Sequence, residues 1–283
     1  MIRSARIWPM AKQNSSQAIA FIGGGNMARA LIGGLIHAGQ AADSLTVADP
    51  AAEQRQRLQD DFGVIGAVNN AAACRDKQAV VLAVKPQVID SVLAEIASTL
   101  DDDALVISVA AGVSLDKLAA GLGGRRALVR AMPNTPALYG TGITGLAANG
   151  HLSEPQRQLV EQIFASAGET AWISDETLMD AVTAVSGSGP AYFFALTEHL
   201  ARAGAAAGLP AELAARLARQ TAIGAGVMLA RSDLDAGELR RRVTSPGGTT
   251  AAALARFDEE GLGMLVERAV DAAVQRGREL GAS

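Results

Sequence analysis

Three short stretches of the 283-residue chain carry residue types that could hold a charged small molecule. The first is Gly23-Gly24-Gly25 with Ala28 three residues on, inside AIAFIGGGNMARALIGGL (18–35). A tight turn needs freedom at positive φ, a pyrophosphate needs bare backbone to approach, and a helix lying close on a strand needs a small residue. Gly23, Gly25 and Ala28 fill those places in the order GxGxxG/A. The free N–H groups and positive dipole end of the following helix would then face the phosphates. The bland alternative is a structural glycine turn. The other two stretches are Ser186-Gly187-Ser188-Gly189-Pro190 and Ser245-Pro246-Gly247-Gly248-Thr249-Thr250. Each reads as hydroxyls and unhindered N–H groups at the start of a helix, near 191 and 251, a seat for an anion such as a carboxylate. The alternative for each is an ordinary Ser/Thr-capped loop. The helix dipole alone gives an anion only about 0.3–2 kcal/mol, so several N–H bonds must contribute.

Other chemistries find little support. No Ser-His-Asp or paired-carboxylate arrangement stands out. Lys85 is tempting as a general acid, but that role needs a strongly shifted pKa, and a helix-start or ribose-side role fits it better. His37, His151 and His199 lack ligand spacing and Cys74 is the one cysteine, so no metal site and no disulfide framework are expected. Cys74 reads as packing, and its isolation suits a reducing cytosol. A net charge of −4 argues against nucleic-acid or anionic-membrane partners. No apolar run is long and uninterrupted enough to span a bilayer. Residues 1–17 read as a polar, disordered extension and not a secretory signal, with Met10 an alternative start to Met1.

The elements that must position these residues follow from apolar pattern. Strands are expected at 19–22, 45–48, 64–68, 79–84, 105–109, 127–131, 140–148 and 170–173. Helices are expected at 26–37, 51–62, 88–100, from Leu115 behind a Ser114 cap, and at 153–167 with Ser153 as N-cap. Continuously apolar runs such as 79–84 suit parallel strands buried on both faces. Alternation of strand and helix predicts an α/β fold with a doubly wound, mostly parallel sheet, whose ligands sit at the strands' carboxyl ends. Those ends carry Gly23 to Gly25, Asp49, Lys85-Pro86, Ala110-Ala111-Gly112 and Met132 to Pro136, all expected to line one crevice. From about 175 the strand pattern stops. Helices are expected at 191–207, 211–230 and 261–280, with Pro210 opening the second. Gly204, Gly224 and Gly226 lie inside helical pattern at about 1 kcal/mol each relative to alanine, tolerable where bare backbone lets helices pack closely. That surface suits an interlocked helical domain shared between subunits; a monomeric helical cap is the alternative.

FIGGGNMARALIGGL, LAVKPQ, SVAAGV, RAMPNTPA, AVSGSGPAYFF and VTSPGGTTAAAL occur in that order. As a set they resemble the pyrroline-5-carboxylate reductases, from about residue 19 to the C-terminus. The resemblance implies reduction of (S)-1-pyrroline-5-carboxylate to L-proline with NADPH or NADH, the last step of proline biosynthesis, in the cytoplasm. It implies an N-terminal Rossmann domain (18–174) and a C-terminal all-helical dimerisation and substrate-binding domain (175–283), with homodimers that in some members form decamers. By position, Gly23, Gly24, Gly25, Asn26 and Met27 would hold the pyrophosphate and Asn70 would contact the adenosine ribose. Val84, Lys85, Pro86, Ala110, Ala111 and Gly112 would flank the nicotinamide and its ribose, with Asn134 nearby. Ser245, Gly247, Gly248 and Thr249 would bind the substrate carboxylate, and the Thr250 hydroxyl would hydrogen-bond the ring nitrogen. Thr250 is too weak an acid to donate a proton outright, so the substrate is expected to arrive protonated, with orientation the protein's main contribution.

Asp49 departs from the small or hydroxylated residue usual in NADPH-adapted members. An acid there commonly bonds the ribose 2′-OH of NAD. Facing a 2′-phosphate at about 4 Å it would repel by about 4 kcal/mol at an effective dielectric of 20. Arg55 or Arg57 could screen it, so both cofactors stay open. The rivals are a related oxidoreductase on a 3-hydroxyacid or another cyclic imine, and a non-catalytic nucleotide sensor. No lysine follows Lys117 to serve as a helical-domain base, which counts against the hydroxyacid route. The intact Ser245 to Thr250 stretch counts against the sensor.

Overall fold

The computed structural model describes residues 17–123 and 125–281. Met1, Met10 and all but the last residue of the expected N-terminal extension lie outside the described residues. Eight strands form one sheet: β1 (Ile19–Ile22), β2 (Leu45–Ala48), β3 (Ile65–Gly66), β4 (Ala79–Leu82), β5 (Leu105–Ser108), β6 (Leu128–Met132), β7 (Gly142–Ala148) and β8 (Gly168–Trp172). Their order is β3-β2-β1-β4-β5-β6-β7-β8. The first six run parallel, β7 is antiparallel to β6, and β8 is parallel to β7. Order reverses between β1 and β4, the switch point at which open α/β sheets bind ligands outside the strands' carboxyl ends.

Helices cover both faces, which is why the strands are apolar without alternation. Successive side chains of β1 point to opposite sides. Ile19 and Phe21 pack with Leu31 and Ile32 of α1 (Asn26–His37) and with Val160, Ile163 and Phe164 of α6 (Glu154–Ala165). Ala20 and Ile22 pack with Ile89, Leu93 and Ile96 of α4 (Ile89–Ile96) and Leu118 of α5 (Leu115–Leu122). Fully burying one such aliphatic or Phe side chain contributes about 1.5–3 kcal/mol. The remaining helices of this layer are α2 (Ala52–Phe62) and α3 (Asn70–Cys74). The two serine caps stand where expected. Ser114 Oγ accepts from the Lys117 N–H at 3.1 Å, and Ser153 forms a reciprocal capping box with Gln156.

Two elements fall furthest short of their expected length. The strand at 64–68 is only Ile65–Gly66, an edge strand with Ile65 exposed. The helix at 88–100 is preceded by a 3-10 turn, Pro86–Val88, and ends at Ile96. The buried Arg126 guanidinium gathers the carbonyls beyond it, donating to Leu100 O at 3.2 Å, Ala97 O at 3.4 Å and Asp101 O.

The C-terminal part is all helical: α7 (Met179–Val182), a π-helix (Thr183–Gly187), α8 (Gly189–Ala206), α9 (Ala211–Arg231), α10 (Ala236–Arg242), α11 (Thr249–Glu259) and α12 (Leu262–Gly281). The described residues divide into two compact units, one of Gly189–Val270 and the other of residues 17–188 with 271–281. Residues 175–188 therefore pack with the sheet. Met179 is buried among the α4 and α5 side chains, and Glu176 accepts from the Leu115 N–H at 2.9 Å. In the helical unit α8 and α9 pack as a pair. A Cβ on Gly204 would stand 3.3 Å from Ala214 Cβ, so the glycine lets these helices close up. Gly224 and Gly226 meet nothing within 4 Å among the described residues. Large apolar side chains point outward from this unit, among them Phe193 and Phe194 at 68% exposure each. No helix among the described residues is long and apolar enough to cross a membrane.

Candidate active site

The glycine turn joins β1 to α1 at the switch point. Gly23 has φ +99°, and a Cβ there would stand 2.4 Å from the Ala83 carbonyl oxygen beyond β4. Its N–H donates to Ala48 O at 2.7 Å, tying the turn to β2. The Gly24 N–H donates to Asp49 Oδ2 at 2.7 Å. Gly25 is different. It is the N-cap of α1 in extended conformation (φ −69°, ψ −174°), it is exposed, and a Cβ there would meet nothing within 4 Å. The N–H groups of Asn26 and Met27, in the first helical turn, have no intrahelical acceptor. Open space over bare backbone and unengaged donors at a helix N-terminus is the shape and polarity a pyrophosphate requires, so the chain fits a dinucleotide here. Ala28 is fully buried beneath the turn.

The other strand ends share this edge because β2, β1, β4, β5 and β6 are parallel. Val84 Cγ1 would be 3.2 Å from a Gly23 Cβ, so β4's end lies directly beside the turn. Lys85 is exposed and opens the 3-10 turn, its carbonyl accepting from the Val88 N–H at 3.2 Å. Pro86 takes the first position of that turn, where a missing donor costs little. Ala110 is buried and Ala111 half-buried. Gly112 has φ +77°, and a Cβ there would meet the end of α12, with Gly281 N and Leu280 C both at 3.3 Å. The left-handed φ and this close packing both favour glycine here, a constraint that the sequence pattern did not suggest.

Three polar residues are already engaged. Asp49 Oδ1 accepts the Ala51 N–H at 2.8 Å in addition to the Gly24 contact, and the Arg55 guanidinium donates to the Asp49 carbonyl and lies 3.5 Å from Pro50 O. Asn70 donates through its N–H to Glu95 Oε1 at 3.2 Å and through Nδ2 to Glu95 Oε2 at 2.8 Å. Asn134 bridges protein segments: its Oδ1 accepts the Ile143 N–H at 3.0 Å and its Nδ2 donates to Ser186 O at 3.2 Å.

Sequence reasoning missed a half-buried ion cluster behind this edge. Arg130 on β6 pairs with Glu176 at 3.0 Å and with Asp180 at 3.8 Å, and the same Glu176 Oε1 accepts the Leu115 N–H that starts α5. A charge inside the apolar run LVRAM was the available signal, since a buried guanidinium must find acceptors. Cys74 is buried as expected. Burial, with the Glu95 carboxylate adding to it, pushes its thiol up to about 12.

The reading of Ser186 to Pro190 as a loop ahead of a helix does not hold. Thr183–Gly187 is a π-helix that follows α7 directly, with only Ser188 before α8. The Ser188 N–H donates to Thr183 O at 2.8 Å, and the Ser186 hydroxyl to Val182 O at 2.9 Å, so these groups are not free for an anion.

Ser245 to Thr250 has the expected form. The Gly248 N–H donates to Ser245 O at 3.0 Å, with Pro246 and Gly247 (φ +69°) between them, the pattern of a type II turn. Gly248 is the N-cap of α11, and Thr249 and Thr250 open the helix. Their hydroxyls and that of Ser245 bond no other described residue, and Thr249 and Thr250 present first-turn N–H groups. Ahead of the turn lies α10, which the pattern analysis did not foresee; Asp235 caps it by accepting the Glu238 N–H at 2.8 Å. The Arg242 and Arg241 guanidiniums hold the Glu238 carboxyl below the usual range. Among the described residues no group of three or more His, Cys, Asp or Glu could hold a metal ion.

Residues 176–280 match the family described as pyrroline-5-carboxylate reductase dimerisation, and residues 18–112 the family described as NADP oxidoreductase coenzyme F420-dependent. The chain is 47% identical over 266 residues to a pyrroline-5-carboxylate reductase of Pseudomonas aeruginosa, covering 94% of this chain and 97% of that one. It is 40% identical to one from Synechocystis, covering 93% and 98%. Among solved structures, a pyrroline-5-carboxylate reductase from Coxiella burnetii is similar at TM-score 0.90 and 38% identity, covering 94% and 99%. A Plasmodium falciparum pyrroline carboxylate reductase with NADP bound is similar at TM-score 0.81 and 32% identity, covering 94% and 98%.

Proposed function

The chain belongs to the pyrroline-5-carboxylate reductase family, and from that membership we propose that it reduces (S)-1-pyrroline-5-carboxylate to L-proline. The observation that supports the reading is the presence in one polypeptide of two turns that set bare backbone and helix-start N–H groups where an anion could lie. One is the glycine turn at the switch point, and the other is the Ser245 to Thr250 turn, whose three hydroxyls bond no other described residue. A nicotinamide dinucleotide, when bound, supplies the hydride.

The protein's residues bind and orient. The N–H groups of Gly25, Asn26 and Met27 receive the pyrophosphate, with Gly23 and Gly24 shaping the turn. Asp49 and Asn70 stand at the ribose end. Val84, Lys85, Pro86, Ala110, Ala111 and Gly112 border the nicotinamide, and Asn134 supports that border through Ile143 and Ser186. Ser245, Gly247, Gly248 and Thr249 hold the substrate carboxylate. Thr250 aligns the protonated ring nitrogen, which needs no proton from the enzyme. Lys85 sits in water at the crevice edge, where it attracts the anionic substrate and cofactor and is not the acid.

The sheet unit, which takes in 175–188 and 271–281 as well as the expected Rossmann span from 18 to 174, and the helical unit Gly189–Val270 divide these tasks. The outward apolar faces of α8 and α9 are covered by a second copy in a cytoplasmic homo-oligomer, a dimer or a decamer built of dimers.

The direct test is oxidation of NADH and NADPH on addition of pyrroline-5-carboxylate, with proline identified as product. No turnover with either cofactor, in protein that binds one of them, would overturn the reading. A Thr250→Ala variant should lose at least tenfold in kcat/KM, and a near-normal value would remove Thr250 from its role.

A further inference from the structure

Cofactor choice in a sheet of this order turns on the residue that ends β2, because that strand's carboxyl end reaches the adenosine ribose. Asp49 stands there with both carboxylate oxygens fixed. Oδ2 accepts the Gly24 N–H at 2.7 Å and Oδ1 accepts the Ala51 N–H at 2.8 Å. Donors from the glycine turn and from the start of α2 clamp it, so the charge cannot swing out of the crevice. No ion pair within 4.0 Å neutralises it among the described residues. Arg55, six residues on, bonds the carbonyl of Asp49 instead of its carboxylate.

Asn70 supports the same conclusion independently. Its N–H and Nδ2 both donate to the Glu95 carboxylate, which leaves Oδ1 as its open acceptor and sets a second negative charge behind it. Lys77 accompanies Glu95 near the Cys74 thiol, and on α2 Arg55 and Arg57 stand with Glu53, so the selecting charge is that of Asp49 itself. A ribose 2′-hydroxyl can donate to Asp49. A 2′-phosphate only accepts, and it carries like charge into the same space.

We infer that this chain takes NADH in preference to NADPH, with the clamped Asp49 carboxylate as the selecting group. This rests on the dinucleotide reading of the glycine turn.

The test is calorimetric binding of ADP-ribose and 2′-phospho-ADP-ribose to the full chain, which needs no turnover. ADP-ribose should bind at least tenfold more tightly. Asp49→Ser should abolish or reverse that ratio. Asp49→Asn, which keeps an acceptor for a clamping N–H and so protects the turn, should cut it severalfold. Arg55→Ala should leave the preference for ADP-ribose in place or sharpen it. Equal or tighter binding of the 2′-phosphorylated ligand by the unaltered chain would overturn the inference, as would a ratio unmoved in both Asp49 variants. Failure of both ligands to bind would overturn it together with the dinucleotide reading. A clear preference for ADP-ribose in a chain that does not reduce pyrroline-5-carboxylate would sink only the reductase reading.

Discussion

Gly23 and Gly25 stand two residues apart in one turn, and alanine should affect them in opposite ways. At Gly23 the φ of +99° is left-handed, and the new Cβ would lie 2.4 Å from Ala83 O and 2.8 Å from Ala83 C. Neither strand end can give way easily, since the Ala83 N–H is bonded to Ile22 O at 2.7 Å and the Gly23 N–H to Ala48 O at 2.7 Å. Left-handed strain of about 1–2 kcal/mol and backbone overlap of about 1–3 kcal/mol give an expected loss of about 2–5 kcal/mol. At Gly25 the backbone is already one that alanine adopts, and the site is open. Reduced freedom of the unfolded chain should stabilise by about 0.4–1 kcal/mol. The poorer N-cap should cost about as much, so stability should change by less than ~1 kcal/mol. The added methyl would nonetheless fill the space assigned to the pyrophosphate. Urea unfolding and calorimetric NADH binding read the two effects separately. Gly25→Ala should keep its unfolding midpoint and weaken NADH at least tenfold, whereas Gly23→Ala should lose the midpoint. Unchanged NADH affinity in Gly25→Ala would refute the pyrophosphate assignment, and a loss below ~1 kcal/mol in Gly23→Ala would refute the strain argument.

Further outcomes follow from other parts of the chain. Glu176→Ala leaves Arg130 with only the 3.8 Å Asp180 pairing and leaves the Leu115 N–H unpaired, and should cost about 1–3 kcal/mol in urea unfolding; a change under ~0.5 kcal/mol would mean water replaces the carboxylate. Because the Cys74 thiol is raised to about 12, the unfolded chain loses that proton first. Its contribution is whole below the ordinary thiol range and declines at up to about 1.4 kcal/mol per pH unit as pH rises toward the folded value. Unfolding free energies at several pH values above about 9 should thus fall more steeply in the parent than in Cys74→Ala, and parallel curves would contradict this. Phe193→Glu, at a side chain 68% exposed in the single chain, should lower the mass seen in sedimentation while preserving helical content. An unchanged mass would mean that another surface mediates assembly.

Much of the nucleotide half was legible because its signals are local. Ile19 to Ile22, the three glycines and the helix behind them are contiguous, and Ser114 and Ser153 act within three residues of themselves. The parallel sheet followed from apolar runs that can only be buried on both faces. What escaped depends on partners distant in sequence. Ser186 and Gly187 carry the small, hydroxylated look of a cap, yet their backbone continues a helix. A Cβ on Gly187 would stand 2.6 Å from Met132 Cε, so the glycine lies against a side chain of β6. Asn134 was placed correctly at a strand end, but its amide is engaged by Ile143 and Ser186, nine and 52 residues away. The cluster of Arg130, Glu176 and Asp180 joins residues 46 or more apart, and no periodicity reports such a pairing. The helix α10 is seven residues long with three consecutive arginines, too short and too polar to register against an apolar pattern.

A crystal structure of the chain with NADH and L-proline bound bears most directly on the two-cradle account. It should show the pyrophosphate on the N–H groups after Gly24 and the proline carboxylate on the turn from Ser245 to Thr249. Both ligands should open onto one cavity, formed within a subunit or across a pair. If proline occupied a place remote from the dinucleotide in every pairing of subunits, the account would be contradicted.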